Sequence, residues 1–195
     1  MKNIQHYLFA LILSLAVMAF LQLMPEWHDS LAFNSDTALS EGWPLVGAHF
    51  IHLNWSHALF NFAALVVIVV VWRQFFTTRW LINALLLSAV TTSLLLLLLP
   101  WEIEFVGLSA VLHGLLMYCV VKYAKQNRWV LILGLAIIGK VVAELLGWRP
   151  THFIGEYVAY IHAAGLLSSL VLLKLERRRV SDAVPEPLKN TDSER

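Results

Sequence analysis

Six stretches of almost unbroken apolar residues divide the chain. They lie near residues 6–24, 55–72, 79–99, 105–124, 129–147 and 157–175. Each is about 20 residues long, which as an α-helix covers the roughly 30 Å hydrocarbon core of a bilayer. A backbone in that core must satisfy its own hydrogen bonds, and an α-helix does so within one segment. The pattern therefore predicts an all-α membrane protein with six transmembrane helices, which we number one to six in chain order.

The segments between and after these helices are polar or mixed. The linker 25–54 is long and rich in tryptophan, and we predict that it forms an interfacial element on the outer membrane surface. Residues 176–195 are mostly polar and are predicted to form a disordered cytoplasmic tail. The chain is thus one membrane domain, residues 1–175, followed by that tail. The first apolar stretch is long for a signal peptide, so we interpret it as a retained helix.

The amino-acid composition agrees with a membrane protein and limits the kinds of binding partner to be expected. Apolar residues make up 59% of the chain and charged residues only 14%. Soluble domains average about 45–50% apolar residues and about 25% charged residues. The net charge of +1 provides no basic field for nucleic acid, so we expect membrane lipid and no nucleic acid as partners. The single cysteine, Cys119, rules out an intrachain disulfide.

Basic residues indicate the orientation of the helices. If the N-terminus is cytoplasmic, 12 of the 14 lysines and arginines lie on the cytoplasmic side. These are Lys2, Arg73, Arg79, Lys122, Lys125, Arg128, Lys174, Arg177, Arg178, Arg179, Lys189 and Arg195. Arg149 lies outside, and Lys140 lies within helix five. The positive-inside rule therefore predicts that both termini are cytoplasmic.

Polar side chains inside three of the helices gather at one depth. They are His57 and Asn61 in helix two, Ser109 and His113 in helix four, and His162 in helix six. At 1.5 Å per residue, Ser109 lies about 7.5 Å past Glu104, and His162 lies about 9 Å past Glu156. Polar residues within a membrane are costly and mark functional sites. We therefore predict that these five side chains meet a short way below the outer surface.

This combination of side chains suits nucleophilic catalysis by serine. A serine hydroxyl such as that of Ser109 needs a base, and histidine takes protons near neutral pH. The oxyanion of the tetrahedral intermediate needs donors, and His57 and Asn61 share a helix face at i and i+4. Gly107 places Ser109 at the start of a helix, where free backbone N–H groups add further donors.

Three motifs resemble those of the rhomboid family of intramembrane proteases. The run HLNWSHALFN, residues 52–61, looks like the rhomboid second-helix motif, with His and Asn four apart. Residues 107–114, GLSAVLHG, resemble Gly-x-Ser-Gly-x-x-x-Gly, and residues 161–165, IHAAG, resemble the start of the sixth-helix motif His-x-x-Gly-x-x-x-Gly. Ala110 and Ser169 stand where the family has glycine, and both are small. The resemblance covers roughly residues 5–175 and implies a rhomboid-like six-helix bundle.

The resemblance also implies roles for the site residues. It implies a Ser109–His162 catalytic dyad, with His57 and Asn61 stabilising the oxyanion and no metal or organic cofactor. His113 is a second candidate base, because it lies at i+4 from Ser109 on the same helix. An i,i+4 partner lies alongside a short serine rather than being directed at it. We therefore assign His162 as the base and His113 as its support by stacking or hydrogen bonding.

The small size of the chain, His113 and a Lys140/Glu144 pair look more specifically like the rhombosortase subgroup. This implies a serine endopeptidase of the bacterial inner membrane, with its active site toward the periplasm. Its substrates would be exported proteins with transmembrane C-terminal sorting signals of the Gly-Gly type. Hydrolysis and transfer to an amine both remain open.

Lys140 and Glu144 lie at i and i+4 in helix five, so they can pair within the membrane. One interpretation is a structural ion pair that ties helix five to a neighbour. The other is that the pair lies at the depth of the active site and contributes to substrate selection, because helix five of rhomboids flanks the side where substrate enters.

Other functions remain as alternatives. One alternative is a general rhomboid protease with other transmembrane substrates, and another is a non-catalytic rhomboid-like protein that binds transmembrane clients. A transporter with a histidine proton relay would need polar residues on the inner side, but residues 65–71 are all apolar. A metal site formed by His49, His52 and His57 would suit imidazole ligands, but no acidic or cysteine partner lies near them in the sequence.

Overall fold

The computed structural model describes residues 4–148 and 157–182, and six long helices dominate these ranges. The helices are α1 (Ile4–Gln22), α2 (Trp55–Val71), α3 (Thr78–Leu96), α4 (Ser109–Tyr123), α5 (Val130–Leu145) and α6 (Val158–Asp182). They lie where the apolar pattern predicts helices one to six. The prediction of an all-α fold is therefore confirmed for the described residues.

Local sequence signals explain several helix ends. The Asn54 side chain accepts a hydrogen bond from the backbone N–H of His57 and caps the start of α2. Thr77 caps α3 in the same way through the N–H of Trp80. Shortly after α5 ends, Gly147 adopts a φ of +89°, a conformation that favours glycine.

The linker between α1 and α2 is folded. It contains a 3-10 turn at Pro25–Trp27 and single helical turns at His28–Leu31, Ala38–Glu41 and Pro44–Gly47. Between them, strand β1 (Phe33–Asn34) pairs antiparallel with strand β2 (Glu104–Phe105). Because β2 occupies the residues before Ser109, α4 begins at Ser109 and not near residue 105 as predicted. The distance along a helix from Glu104 to Ser109 therefore does not apply.

The packing places α6 at the centre of the bundle. The most extensive helix contact joins α4 and α6, followed by the contact between α3 and α6, and α5 packs against both α4 and α6. Helix α1 packs against α2 and α3, and α2 also contacts α4. Within the described ranges, no extensive packing joins α2 directly to α5. These two helices therefore stand on either side of α4 with space between them.

The distribution of polar residues is typical of a membrane protein. Large apolar side chains such as Phe9, Phe60 and Leu135 are exposed on the helix surfaces. Buried polar side chains lie between the helices, and they include Asn61, Ser88, Thr92, Ser93, Glu144, His162, Ser168 and Ser169. In water such an apolar surface would be a liability, whereas in a bilayer it faces lipid.

Length decides which helices qualify as spans. Among the described residues, Thr78–Leu96 and Val158–Arg178 are each long and apolar enough to cross a bilayer. A third span results if Tyr7–Gln22 and Pro25–Leu31, which are bent by 89° relative to each other, count as one. The remaining long helices have 15 to 17 residues, or about 22–26 Å, less than an average hydrocarbon core. The count of six spans therefore stays a prediction.

The end of α6 differs from the prediction. We predicted that residues 176–195 are disordered, but the helix continues to Asp182. One reason is an ion pair between Glu176 and Lys122 of α4. The Lys122 ammonium also lies 4.4 Å from the centre of the Phe75 ring, so this end of α6 is held to the bundle. Residues 183–195 lie outside the described part, as do Glu156 and Arg149.

Candidate active site

A turn at Gly107 places Ser109 at the start of α4. Gly107 has a φ of +126°, and its N–H donates a 2.7 Å hydrogen bond to the Ala48 carbonyl of the linker. A Cβ at this position would lie 2.6 Å from the His57 ring, so both conformation and space require glycine. Ser109 is then the first residue of α4, where backbone N–H groups have no partner within the helix.

Small residues let α4 and α6 approach to backbone contact. A side chain at Gly165 of α6 would overlap the backbone carbonyl of Ala110, the residue after the serine. A side chain at Gly114 would overlap the Ser168 hydroxyl, which itself contacts the Ser88 hydroxyl of α3 at 2.5 Å. This close packing brings side chains of α4 and α6 within hydrogen-bonding distance of each other.

Ser109 and His162 meet across this contact. The Ser109 Oγ lies 3.1 Å from His162 Nε2. His162 is only 5% exposed, and its other nitrogen, Nδ1, lies 2.8 Å from Glu144 Oε2 of α5. Three helices therefore contribute a hydroxyl, an imidazole and a carboxylate in one continuous row.

Lys140 and Glu144 form the ion pair that their spacing allows. Lys140 Nζ lies 2.8 Å from Glu144 Oε1, 3.1 Å from His113 Nε2 and 3.0 Å from His162 Nδ1. The side chain of Glu144 is only 3% exposed, whereas that of Lys140 is 45% exposed. The carboxylate is thus enclosed by its partners while the ammonium reaches the cleft surface.

His113 stacks on His162 instead of facing the serine hydroxyl. The two ring centroids are 4.2 Å apart and their planes differ by 22°. His113 Nδ1 lies 2.7 Å from the backbone carbonyl of Ser109, and its Nε2 contacts Lys140. Both ring nitrogens are therefore used by groups other than the Ser109 hydroxyl.

His57 and Asn61 lie on the α2 side of the same cleft. The Asn61 amide donates a 2.9 Å hydrogen bond to the His57 backbone carbonyl. An amide group has two donor hydrogens, so this bond leaves a second one. The Nδ1 of His57 is buried and makes no hydrogen bond within the described residues. Asn61 thus retains a donor hydrogen, and both side chains line the cleft that Ser109 also lines.

A cleft of about 960 Å³ opens in front of the serine. Six of the seven predicted site residues line it, and they are His57, Asn61, Ser109, His113, Lys140 and His162. Glu144 does not line the cleft and lies behind His162. The rest of the wall is largely apolar, with Phe60 and Ala64 from α2 and Ile137 from α5. A pocket of this size and character can hold an extended apolar peptide.

The linker histidines are sealed away from this cleft. His49 donates to or accepts from the Ser93 hydroxyl at 3.0 Å, and burial lowers the pKa of His49 to about 3. The pKa of His52 is also lowered to about 3, mainly by burial and further by the positive charge of His57 and His28. Among the described residues, no three His, Cys, Asp or Glu side chains come together as a metal site would require.

Two contacts near the site were not expected from the sequence. Gln22 at the end of α1 makes two 3.1 Å hydrogen bonds with the backbone of His52 and fixes the linker before α2. The contact between Glu144 and His162 was also missed. The sequence signal was position along the helices: Glu144 lies close to the C-terminal end of α5 and His162 close to the N-terminal end of α6, and these two ends of consecutive helices lie at the same level.

Comparison with known protein families identifies the family to which the chain belongs. The Rhomboid domain matches residues 39–179, which is more than half of the chain. The chain therefore belongs to the rhomboid family, and the predicted family membership is confirmed. Rhomboid family members are intramembrane serine proteases that act on transmembrane substrates, and the present chain is a multi-pass membrane protein. A comparison with curated proteins gives no match.

Proposed function

We propose that this chain is an intramembrane serine endopeptidase in which Ser109 is the nucleophile and His162 is the general base. The observation that carries the proposal is the 3.1 Å contact between Ser109 Oγ and His162 Nε2 at the wall of the apolar cleft. A serine hydroxyl becomes nucleophilic when an adjacent base takes its proton, and this distance lies within reach of such a transfer.

In the proposed reaction, Ser109 Oγ attacks a peptide carbonyl carbon while its proton moves to His162 Nε2. The tetrahedral intermediate collapses when His162 gives this proton to the leaving amine nitrogen, and an acyl ester remains on Ser109. Water attacks the ester with His162 again as base, or an amine attacks in its place. The steps require no metal or organic cofactor.

The oxyanion would form near the start of α4. Its donors are the backbone N–H of Ser109 together with the side chains of His57 and Asn61, which lie on the other side of the cleft. Donors that are fixed before the reaction stabilise the developing charge without reorganisation, and this effect is strong where water is excluded.

Transmembrane segments are the proposed substrates. The cleft is lined by α2 and α5, which do not pack extensively against each other within the described ranges, so an apolar segment can approach between them from the lipid. The resemblance to rhombosortases narrows the proposal to C-terminal sorting signals of the Gly-Gly type. The same resemblance implies the bacterial inner membrane, and the basic residues support an orientation with Ser109 toward the periplasm and both termini in the cytoplasm.

Purified protein in detergent and a transmembrane substrate with a Gly-Gly sorting signal test this proposal. We expect cleavage products in mass spectrometry with the wild type and none with Ser109→Ala. The matched substrate carries Val-Val in place of Gly-Gly, and we expect it to be cleaved at least tenfold more slowly.

Equal cleavage of both substrates would favour a general rhomboid protease. Equal cleavage by Ser109→Ala would contradict the assigned nucleophile. Stable binding of intact substrate without products would favour the non-catalytic, client-binding alternative.

A further inference from the structure

We propose that Glu144 is a positioning residue for His162, so that the site is a Ser109–His162–Glu144 triad and not a dyad. The proposal rests on the proposed function, because it concerns the base of that reaction. The motifs of α2, α4 and α6 do not include Glu144, which lies on α5. From the sequence, only an ion pair with Lys140 or a part in substrate selection was predicted for Glu144.

The row of contacts has the order that such a triad requires. The Ser109 hydroxyl lies on one side of the His162 ring, 3.1 Å from Nε2. The Glu144 carboxylate lies on the other side, 2.8 Å from Nδ1. The imidazole is therefore held between a hydroxyl that can give a proton and a carboxylate that can only accept a hydrogen bond.

This arrangement selects one protonation form of the neutral ring. An ionised carboxylate has no hydrogen to donate, so the hydrogen between Glu144 and His162 belongs to Nδ1. Nε2 then carries a lone pair that faces the Ser109 hydroxyl, which is the form that can take its proton. With the hydrogen on Nε2, His162 would donate to Ser109 and could not act as its base.

Lys140 binds the second carboxylate oxygen of Glu144. Its ammonium lies 2.8 Å from Glu144 Oε1 and supplies the opposite charge that a carboxylate needs in apolar surroundings. It also lies 3.1 Å from His113 Nε2. His113 then carries its hydrogen on Nδ1 and donates it to the Ser109 carbonyl 2.7 Å away. One assignment of hydrogens therefore satisfies all four side chains.

A competing arrangement has to be excluded by experiment. Lys140 Nζ lies 3.0 Å from His162 Nδ1, and donation along this contact would place the ring hydrogen on Nε2. The carboxylate contact is shorter, and Glu144 Oε2 would lose its partner if Nδ1 carried no hydrogen. The geometry therefore favours donation from Nδ1 to Glu144.

Glu144 also stabilises the charge that forms on His162 during the proposed reaction. When His162 takes the Ser109 proton, the ring becomes an imidazolium with hydrogens on both nitrogens. The carboxylate beside Nδ1 stabilises that positive charge while remaining ionised itself. The proton then leaves from Nε2 to the amine of the departing fragment, and the ring returns to its starting form.

Substitutions at the pair separate positioning from a merely structural ion pair. The test uses the full chain in detergent, with Glu144→Gln alone and combined with Lys140→Met. The matched control is Glu176→Gln, which breaks the Lys122–Glu176 pair at the other end of the bundle. For each variant, kcat, KM and the thermal midpoint are measured, and kcat is divided by the folded fraction.

We expect Glu144→Gln to lower kcat by roughly 10²- to 10⁴-fold, as loss of the correct ring form does in serine proteases, with KM changed less than about threefold. The double variant should not recover, because it also lacks the carboxylate. Glu176→Gln should lower the thermal midpoint but keep kcat within about twofold. Recovery of kcat in the double variant, or a kcat of Glu144→Gln within about threefold of wild type, would overturn the proposal.

A spectroscopic measurement keeps this inference separate from the proposed function. Nitrogen-15 NMR of histidine-labelled protein, with His162→Gln to assign the signals, reports which ring nitrogen carries hydrogen. We expect Nδ1–H in the wild type and a shift toward Nε2–H in Glu144→Gln. A hydrogen on Nε2 in the wild type would overturn the positioning role. Nδ1–H without any Ser109-dependent cleavage would retain the positioning role and reject the proposed peptidase.

Discussion

His162 and His113 lie face to face, yet their nitrogens contact different groups. Nε2 of His162 contacts the Ser109 hydroxyl, whereas the nitrogens of His113 contact the Ser109 carbonyl and Lys140. A ring whose nitrogens are both occupied by such partners has no free lone pair for the serine proton. The two histidines should therefore respond differently to substitution, although they are the same residue type in the same stack.

We expect His162→Ala to lower cleavage to the level of Ser109→Ala. His113→Phe keeps an aromatic ring beneath His162 but loses two hydrogen bonds, each worth about 1 kcal/mol, so we expect a loss of roughly tenfold and measurable activity. Initial rates in detergent, corrected for folded protein, measure both. Activity that survives in His162→Ala and disappears in His113→Phe would reverse the assignment of the base.

Among the helices, the contact of α4 with α6 determines the geometry of the site. Gly165 and Gly114 leave no room for a side chain between the two backbones. The Ser109 and His162 side chains then need to bridge only a short distance. In catalysis, a displacement of about 1 Å can cost a factor of 100 in rate, so the proposed reaction depends on the spacing of α4 and α6.

A methyl group at Gly165 should therefore impair catalysis strongly. We expect Gly165→Ala to lower kcat at least 100-fold and also to lower the thermal midpoint, because the added group meets the Ala110 carbonyl. The matched control is Gly139→Ala on α5, where no other element of the described part of the chain comes within 4 Å of the added group, and there kcat should stay within twofold. Wild-type activity in folded Gly165→Ala would show that this contact does not determine the spacing.

The folded linker should lose stability in acid. Burial lowers the pKa of His49 and His52 to about 3, so the folded state keeps both neutral while the unfolded chain protonates them below about pH 6.5. Keeping these two histidines neutral in the folded state lowers the free energy of unfolding in acid. This loss is absent above pH 6.5 and grows as the pH falls toward 3, reaching on the order of 2 kcal/mol for each histidine at pH 5. Thermal unfolding in detergent at pH 7.5 and 5.0 measures it. An equal acid shift in His52→Phe would contradict the assignment to His52.

For the molecule as a whole, the sequence predicted elements better than their contacts. Apolar runs located the six long helices, and the motifs around Ser109 and His162 paired these two residues, although the depth argument for Ser109 failed because α4 begins there. The apolar run alone did not locate the start of α4, because β2 forms only by pairing with β1 about 70 residues away, whereas Gly107 did indicate a helix start at Ser109. The direction of Glu144 was not predictable either. Its i,i+4 spacing gives the pair with Lys140, but the rotation of α5 that turns the second oxygen toward His162 depends on packing.

The predicted orientation can be tested on intact cells. In a background in which the buried Cys119 is replaced by serine, Asp36→Cys should react with an impermeant thiol reagent, because Asp36 is exposed in the linker between α1 and α2, which is predicted to lie outside. Lys189→Cys should react only after the cells are opened, because the positive-inside rule places the C-terminus in the cytoplasm. Labelling of Lys189→Cys in intact cells would reject this orientation.

Because α4 and α6 are in close contact, the two walls of the cleft differ in how their residues are held. On one wall Ser109 and His162, the proposed nucleophile and base, are positioned by main-chain contact of Gly165 with Ala110, so substitutions there would move both side chains. On the other wall α2 and α5 present replaceable side chains such as Phe60, Ala64 and Ile137. A laboratory-evolution library confined to Phe60, Ala64 and Ile137 would therefore change which peptides fit, while it leaves the proposed catalytic groups in place.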